Sequence, residues 1–368
     1  MSTTFHPLTI TRVHPETDRA VSLSFDVPQE LRPQFQYTQG QYLTLRFMLN
    51  GQEERRAYSM SSSPVEEELV VTVKRLEGGL VSNHINDQLS AGDTVEVMVP
   101  DGRFYTDLDP DQRKDYYLFG AGSGITPLMS ILKTILEKEP LSTVFLLYGN
   151  RSEDSIIFRD QLEQMGKRYA DQLIVEHMLS QPIKKKEKGW SGLFKKAAIS
   201  WAGKTGRIDA QAVAHFLEEN PSRTGQCEYF ICGPNPMINA VEKTLLEEQR
   251  VDAKHVHSER FTADEVDPEV AQNMGTDGAR AKVLLEGKTI ELTIPKGKTI
   301  LDAMLDAKHD PPYSCTAGSC AACMAKVTKG STEMEICFSL DPDEVEEGYI
   351  LTCQAHPTSD EVELTFEV

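Results

Sequence analysis

Cys315, Cys320 and Cys323 stand in the spacing C-x4-C-x2-C, and Cys353 follows 30 residues after the third of them. Thiolates are soft ligands, and four of them complete the coordination of two sulfide-bridged irons. The spacing suits a plant-type 2Fe-2S cluster. Zinc is the alternative, but structural zinc sites commonly pair C-x2-C units, whereas here one tight loop meets a single distant ligand. The intervening residues Ala317, Gly318, Ser319, Ala321 and Ala322 are small. Small residues let backbone N–H groups approach cluster sulfurs, which raises the reduction potential. The chain has seven cysteines, and in a reducing compartment such crowding reads as metal ligation before disulfides. Cys227 and Cys337 fall outside the pattern and are expected to be ordinary buried thiols.

A second group of motifs suits a flavin and a nicotinamide nucleotide. A flavin needs a cation for its phosphate, an apolar face for its ring and a hydrogen-bond donor near N5. Arg56, Tyr58 and Ser59, read as alternating positions of one strand, supply these three. About 20 residues on, Gly78-Gly79-Leu80-Val81-Ser82 reads as a flexible turn that a pyrophosphate can approach. Gly120-Ala121-Gly122-Ser123-Gly124 joins an apolar run to a helical one, and a helix N-terminus favours phosphate. Thr126 is the expected cap of that helix and Pro127 its first residue. The turn departs from the dinucleotide fingerprint by ending in proline. Cys232-Gly233-Pro234 closes another apolar run, at the strand end where open α/β sheets bind ligands. Arg151 and Ser152, with Arg159 nearby, offer a cation and a hydroxyl to a 2′-phosphate, which favours NADPH over NADH. Each motif also has a plain structural reading, namely an exposed strand, a βα turn or a buried strand thiol. Their order along one chain favours the functional one.

These residues need elements to hold them. Residues 1–108 show period-two alternation (Val21, Leu23, Phe25, Val27; Leu43, Leu45, Phe47; Val95, Val97, Val99), which predicts antiparallel strands in a small barrel or sandwich. From residue 109 the pattern changes. The runs 116–122, 142–150, 173–179 and 228–234 are apolar without alternation, and Leu128, Ile131, Leu132 and Ile135 lie at helical spacing. Strands buried on both faces and alternating with helices predict a parallel α/β unit over 109–262. Residues 263–280 are poor in apolar side chains and read as a linker. Residues 281–368 then begin with a hairpin (282–294), continue with a helix over 300–307 capped by Thr299, and end on a strand.

The net charge is −19. An acidic excess argues against nucleic-acid binding, which needs clustered Lys and Arg. No apolar run approaches the ~20 residues of a membrane span, and the N-terminus lacks the pattern of a secretory signal. A cytoplasmic location is expected. Residues 281–368 carry 16 acidic and seven basic side chains, so nearly half the negative charge sits in this last unit. Such a face can steer a basic protein partner. Residues 184–207 run the other way, with eight basic residues, one acidic, and both tryptophans, Trp190 and Trp201. This insert reads as a surface loop, or as a contact for an acidic partner, for the chain's own acidic last unit or for an anionic membrane surface.

Taken in order, the motifs of residues 1–262 resemble the ferredoxin–NADP reductase superfamily, and YSCTAGSCAACMAKV with DEVEEGYILTCQAHP resembles the two ligand-bearing segments of plant-type ferredoxins. The resemblance implies an FAD-binding β-barrel, a nicotinamide-binding α/β domain and a β-grasp 2Fe-2S domain. It implies flavin contacts from Arg56, Tyr58 and Ser59, with Ser59 near N5. It implies flavin-phosphate contacts from Gly79, Leu80, Val81 and Ser82. It implies nucleotide contacts from Gly122, Gly124, Thr126, Pro127, Cys232, Gly233 and Pro234. Glu259 and Phe261 match a region near the flavin in such proteins, and Cys232 takes a positioning role. The domain order resembles reductase components of multicomponent oxygenases, of the phenylacetyl-CoA epoxidase type. The implied activity carries electrons from NADPH (NADH being possible) through FAD and the cluster to an oxygenase or another one-electron acceptor. A haem monooxygenase or lipid desaturase as acceptor, or a non-enzymatic redox sensor, are the alternatives.

Overall fold

The computed structural model describes residues 4–185, 198–199, 201–261 and 268–368. Most of the basic insert, Trp190 included, therefore lies outside the described residues.

The N-terminal unit has six antiparallel strands: β1 (Phe5–Thr17), β2 (Ala20–Asp26), β3 (Tyr42–Leu49), β4 (Gln52–Ser59), β5 (Leu69–Lys74) and β6 (Thr94–Met98), in the spatial order β4-β3-β6-β1-β2-β5. A bridge between Met60 and Val71 joins the two ends of that order and closes the sheet into a barrel. The alternating residues fill its interior, with Leu8, Leu23, Leu43, Leu45, Val71 and Val97 fully buried. Period two also predicts a wet outer face, and on β3 that fails. Thr44 is only 2% exposed, because the third unit packs over it. Between β5 and β6 runs helix α1 (Leu80–Gln88), with Gly79 as its N-cap. The Gly78–Ser82 segment is therefore not the flexible turn expected. Leu80, Val81 and Ser82 form a helical first turn, whose N–H groups have no intrahelical acceptors.

The second unit is a six-stranded parallel sheet. Its strands β7 (Asp115–Ala121), β8 (Thr143–Asn150) and β9 (Leu173–Leu179) run outward in one direction, ending at Lys204–Thr205. Cys227–Cys232 and then Val256–Glu259 lie on the other side of β7. The strand order reverses between β7 and Cys227–Cys232, which is where such sheets open a crevice. Helix α2 (Ile125–Lys138) covers one face and ties the sheet to the barrel. Its Ser130 Oγ donates to the Ser62 carbonyl at 2.6 Å, and Thr134 Oγ1 lies 2.8 Å from Ser63 Oγ. The helix starts earlier than expected. A 3₁₀ turn, Gly122–Gly124, leads into it, so Thr126 is its second residue and Pro127 its third. Thr126 Oγ1 donates to the Ser123 carbonyl at 3.1 Å instead of capping the helix. Proline is tolerated there because the first four helical N–H groups have no intrahelical partner.

β9 departs from the buried pattern of its neighbours. Residues 174–178 are half-exposed, because only a two-residue strand lies beyond it. His177 on this strand sits beside Tyr148 and Trp201, at ring distances of 5.8 and 6.4 Å. Burial, then repulsion by Arg159, lowers its pKa to about 4. The folded state thus stays neutral where an unfolded chain takes a proton. Stability is unaffected above pH 6.5 and falls as pH drops from 6.5 toward 4, by about 2–3 kcal/mol. His177→Gln is expected to flatten this fall in a Tm series from pH 7 to 4. An unchanged slope would assign the acid sensitivity elsewhere.

The third unit is a five-stranded mixed sheet in the order Lys288–Ile294, Ala279–Leu285, Glu361–Thr365, Met324–Lys329, Tyr349–Leu351. Helix Ile300–Asp306 packs on it and carries the expected Thr299 cap, with Asp302 completing a capping box. The stretch read as a linker contains a short helix, Pro268–Ala271, and the first strand of this unit begins at Ala279.

Candidate functional site

A cleft of about 440 Å³ opens between barrel and parallel sheet. The barrel contributes Arg56, Tyr58 and Ser59 from β4 and Gly79 to Ser82 from α1, while the sheet contributes Gly122, Thr126, Gly233 and Pro234, and Phe261 lies at the edge. Residues more than two hundred positions apart thus line one cleft. Arg56 and Tyr58 are two apart and in phase. Ser59 is not at an alternating position as expected. It is one residue further, where the strand ends, and its Oγ donates to Glu259 Oε2 at 3.0 Å. Arg56 is paired with Glu54 at 3.0 Å and remains 44% exposed at its side chain. The free N–H groups at the start of α1, facing the same cleft as Arg56, suit a phosphate.

Gly122 has φ +56°, a left-handed backbone that favours glycine. A Cβ there would lie 3.1 Å from Lys74 Nζ. Lys74 ends β5 and reaches the Gly-rich turn from the barrel side. Burial lowers its pKa, and the charges of Arg151 and Arg19 lower it further. Lys74 and the exposed Arg151 therefore form one cationic mouth beside the turn. The motif reading missed Lys74. The only signal was a basic residue closing the strand before Gly78-Gly79. Arg151 and Ser152 do not line the cleft itself. The Ser152 N–H is taken by Ser155 Oγ at 3.0 Å. Arg159 faces a separate cavity of about 890 Å³ with Arg12 and Lys133.

Gly124 and Cys232 lie behind the cleft wall. A Cβ on Gly124 would stand 2.0 Å from the Cys232 carbonyl oxygen, so the two turns meet backbone to backbone. Pro127 is buried in α2. Cys232 is fully buried and pairs in register with Gly120 on one side and Glu259 on the other. Burial, and then the nearby Glu259, hold its thiol pKa well above the usual range. It is a neutral packing group rather than a nucleophile. Glu259 is itself pushed up to about 8 by burial, with Ser59 opposing and Cys315 adding to the rise.

A smaller cavity of about 80 Å³ continues from Ser59 and Phe261 to the cysteine loop, lined also by Tyr42, Glu259, Cys315, Ser319 and Cys320. The four thiols approach in two pairs, Cys315 with Cys320 and Cys323 with Cys353. Two thiols per iron is the donor set of a two-iron cluster. Among the described residues no three His, Cys, Asp or Glu side chains converge on a single metal ion. The Cys320 thiol lowers the Cys315 pKa to about 6, and the Ala317 N–H points at Cys315 Sγ from 3.3 Å. Thr316 and Ala321 adopt left-handed backbone, φ 53° and 55°. Such strain persists only where the surroundings impose it, and here it turns amides toward sulfur. Residues, spacing and backbone all fit the cluster. Cys227 and Cys337 are half-buried rather than buried as expected. Cys337 packs against the group that contains Cys323 and Cys353.

Comparison with known proteins agrees with this geometry unit by unit. Residues 8–105 match an oxidoreductase FAD-binding domain, 118–243 an oxidoreductase NAD-binding domain and 283–358 a 2Fe-2S iron-sulfur cluster binding domain. The chain is 36% identical over 366 residues to a component of the 1,2-phenylacetyl-CoA epoxidase of Escherichia coli (strain K12), covering 99% of this chain and 98% of that one. It is 37% identical over 368 residues to the ferredoxin reductase component of 3-ketosteroid-9-alpha-monooxygenase from Rhodococcus rhodochrous, covering 98% and 96%. The fold is shared with phthalate dioxygenase reductase, at a TM-score of 0.60, 23% identity and 98% coverage of both chains. The chain belongs to the family of oxygenase reductase components, oxidoreductases that join FAD-binding, NAD-binding and 2Fe-2S domains in that order for electron transfer from NAD(P)H.

Proposed function

We propose that this chain takes electrons from NADPH and delivers them, through FAD and a 2Fe-2S cluster, to an oxygenase component of the phenylacetyl-CoA epoxidase type. The observation that carries the reading is that the cleft at the Gly-rich turn and the small cavity at Cys315 and Cys320 are neighbours sharing Arg56, Ser59 and Phe261 as common lining. When bound, the flavin supplies the exchange between a two-electron hydride donor and a one-electron cluster.

The protein's own residues position and screen. Arg56 and the N-terminus of α1 would hold flavin phosphates, Tyr58 would offer its ring to the flavin, and Ser59 would serve N5 by turning its hydroxyl proton there from Glu259. Gly122, Thr126, Gly233 and Pro234 admit the nicotinamide nucleotide, with Gly124, Pro127 and Cys232 setting the shape of that wall. Phe261 closes the edge of the cleft and Glu259 orients Ser59. Lys74 holds the pyrophosphate, and Arg151 with Ser152 binds the 2′-phosphate. Cys315, Cys320, Cys323 and Cys353 hold the irons. No helix of the described residues is long and apolar enough to cross a membrane. Cysteines that are all free suit a cytoplasmic setting. The acceptor assignment leans on the near-complete overlap with the epoxidase component. The 37% identity to a ketosteroid monooxygenase reductase supports a second reading.

Two measurements test this. Anaerobic NADPH should bleach the flavin and then reduce the cluster, with kcat/KM favouring NADPH over NADH. Arg151→Ala should lower the NADPH value about tenfold and leave NADH nearly unchanged, as expected for losing one charged hydrogen bond. An NADH preference in the parent protein would overturn the nucleotide assignment. Coupling NADPH oxidation to product in the presence of each purified oxygenase type separates the two acceptor readings.

A further inference from the structure

We propose that Arg55 is the positioning residue that clamps the cluster loop to the flavin-binding strand and so governs how fast electrons cross between the two sites. The proposal rests on the assignment of those sites above.

Arg55 immediately precedes Arg56 on β4, yet its side chain is only 2% exposed. Its guanidinium pairs with Asp310 at 2.6 Å and with Glu53 at 2.7 Å, and it stacks over the Tyr313 ring at 4.2 Å. Asp310 and Tyr313 precede Cys315 by five and two residues. One side chain thus joins the strand that carries Arg56, Tyr58 and Ser59 to the loop that carries the first cluster ligand. Two smaller contacts continue the same seam. Thr44 Oγ1 donates to Ser314 Oγ at 2.8 Å, and the Tyr42 hydroxyl donates to the Cys320 carbonyl at 2.8 Å.

The chemistry of the clamp points to registry rather than bulk stability. Only the Arg55 end of these pairs is buried, since Asp310 is 59% exposed at its side chain, so their net stabilisation is small, but the contact is directional. Arg55 Nη1 finds no hydrogen-bond acceptor, a cost that an apolar residue would avoid. A planar guanidinium held by two carboxylates and a ring admits one arrangement of the strand and loop, which hydrophobic contact would not. Electron tunnelling falls steeply with distance, so a loosened loop slows the crossing without touching the nucleotide cleft.

Stopped-flow with the holoenzyme separates the steps. In Arg55→Met, flavin bleaching by NADPH should stay near the parent rate while cluster reduction slows about tenfold or more, the scale of a small misplacement. Asp310→Asn should do the same in milder form, and it stands in if Arg55→Met folds poorly. Arg55→Asp alone should be worse, and Arg55→Asp with Asp310→Arg should recover part of the loss, the mark of a direct pair. Hydrogen exchange of the amides around Ser314 and Cys320 should rise in Arg55→Met and return toward the parent in the swapped pair. Unchanged cluster reduction, with exchange also unchanged, overturns the clamp. Failure of NADPH to bleach the parent flavin instead overturns the functional assignment, and the exchange measurement still decides the clamp.

Discussion

Cys353→Ser is expected to remove the visible absorbance of the cluster and to cut reduction of a one-electron protein acceptor by at least about 100-fold, while NADPH still bleaches the flavin. Cys353 is 7% exposed and comes from a segment separate from the Cys315–Cys323 loop, where it meets Cys323. In the proposed cluster it is therefore both a ligand and the tie between two stretches of chain. A serine hydroxyl keeps the volume but not the soft, readily ionised donor that iron takes from cysteine. The cleft proposed for the flavin is built by the other two units, so a small oxidant that draws electrons directly from the flavin should be reduced at close to the parent rate. Cys337→Ser is the control, since that thiol packs beside Cys353. It should leave the spectrum intact. A cluster that survives Cys353→Ser and vanishes in Cys337→Ser would reassign the fourth ligand.

What could be read from the sequence follows the range of the forces involved. The 2Fe-2S domain was legible because three of its four proposed ligands stand in one loop of fixed spacing. Barrel strands were legible from alternation, and the parallel strands 116–122 and 228–234 from its absence. The Gly78–Ser82 segment was misread because tandem glycines suggest a turn, whereas Gly79 serves here as the cap of a nine-residue helix. Lys74 was missed because a lysine at a strand end is ordinary. Only the packing of barrel against sheet brings it to Gly122. Arg55 is the extreme case. It belongs to no motif, and its contact partner lies 255 residues away. Ser59 and Glu259 meet across 200 residues, and no local pattern encodes that contact. Motifs name the parts of this site, and inter-unit packing decides which of them touch.

That packing leaves Gly124, behind the cleft wall, no room for a side chain. Its backbone, φ −61° and ψ −8°, is one that any residue adopts, so strain in the turn is not the issue. The issue is space. A Cβ would lie 2.0 Å from the Cys232 oxygen, 2.4 Å from its carbonyl carbon and 2.8 Å from the Gly233 nitrogen. All three are backbone atoms of the facing turn, held in a strand between Gly120 and Glu259, and none can rotate away. Gly124→Ala must push the Gly-rich turn and the Cys232-Gly233-Pro234 turn apart, at a cost of about 1–3 kcal/mol typical of overpacking. The expected result is a lower Tm together with a KM for NADPH raised about tenfold, and a smaller effect on kcat, because the turns bind nucleotide in ground and transition states alike. Gly166→Ala tests the reasoning on the same unit. That glycine lies in the helix Arg159–Arg168, with nothing within 4 Å of its Cβ position. Its replacement should raise stability by up to about 1 kcal/mol and leave both kinetic constants alone. If Gly124→Ala proves as silent as Gly166→Ala, the two turns are not in contact as described, and the nucleotide wall must be built in another way.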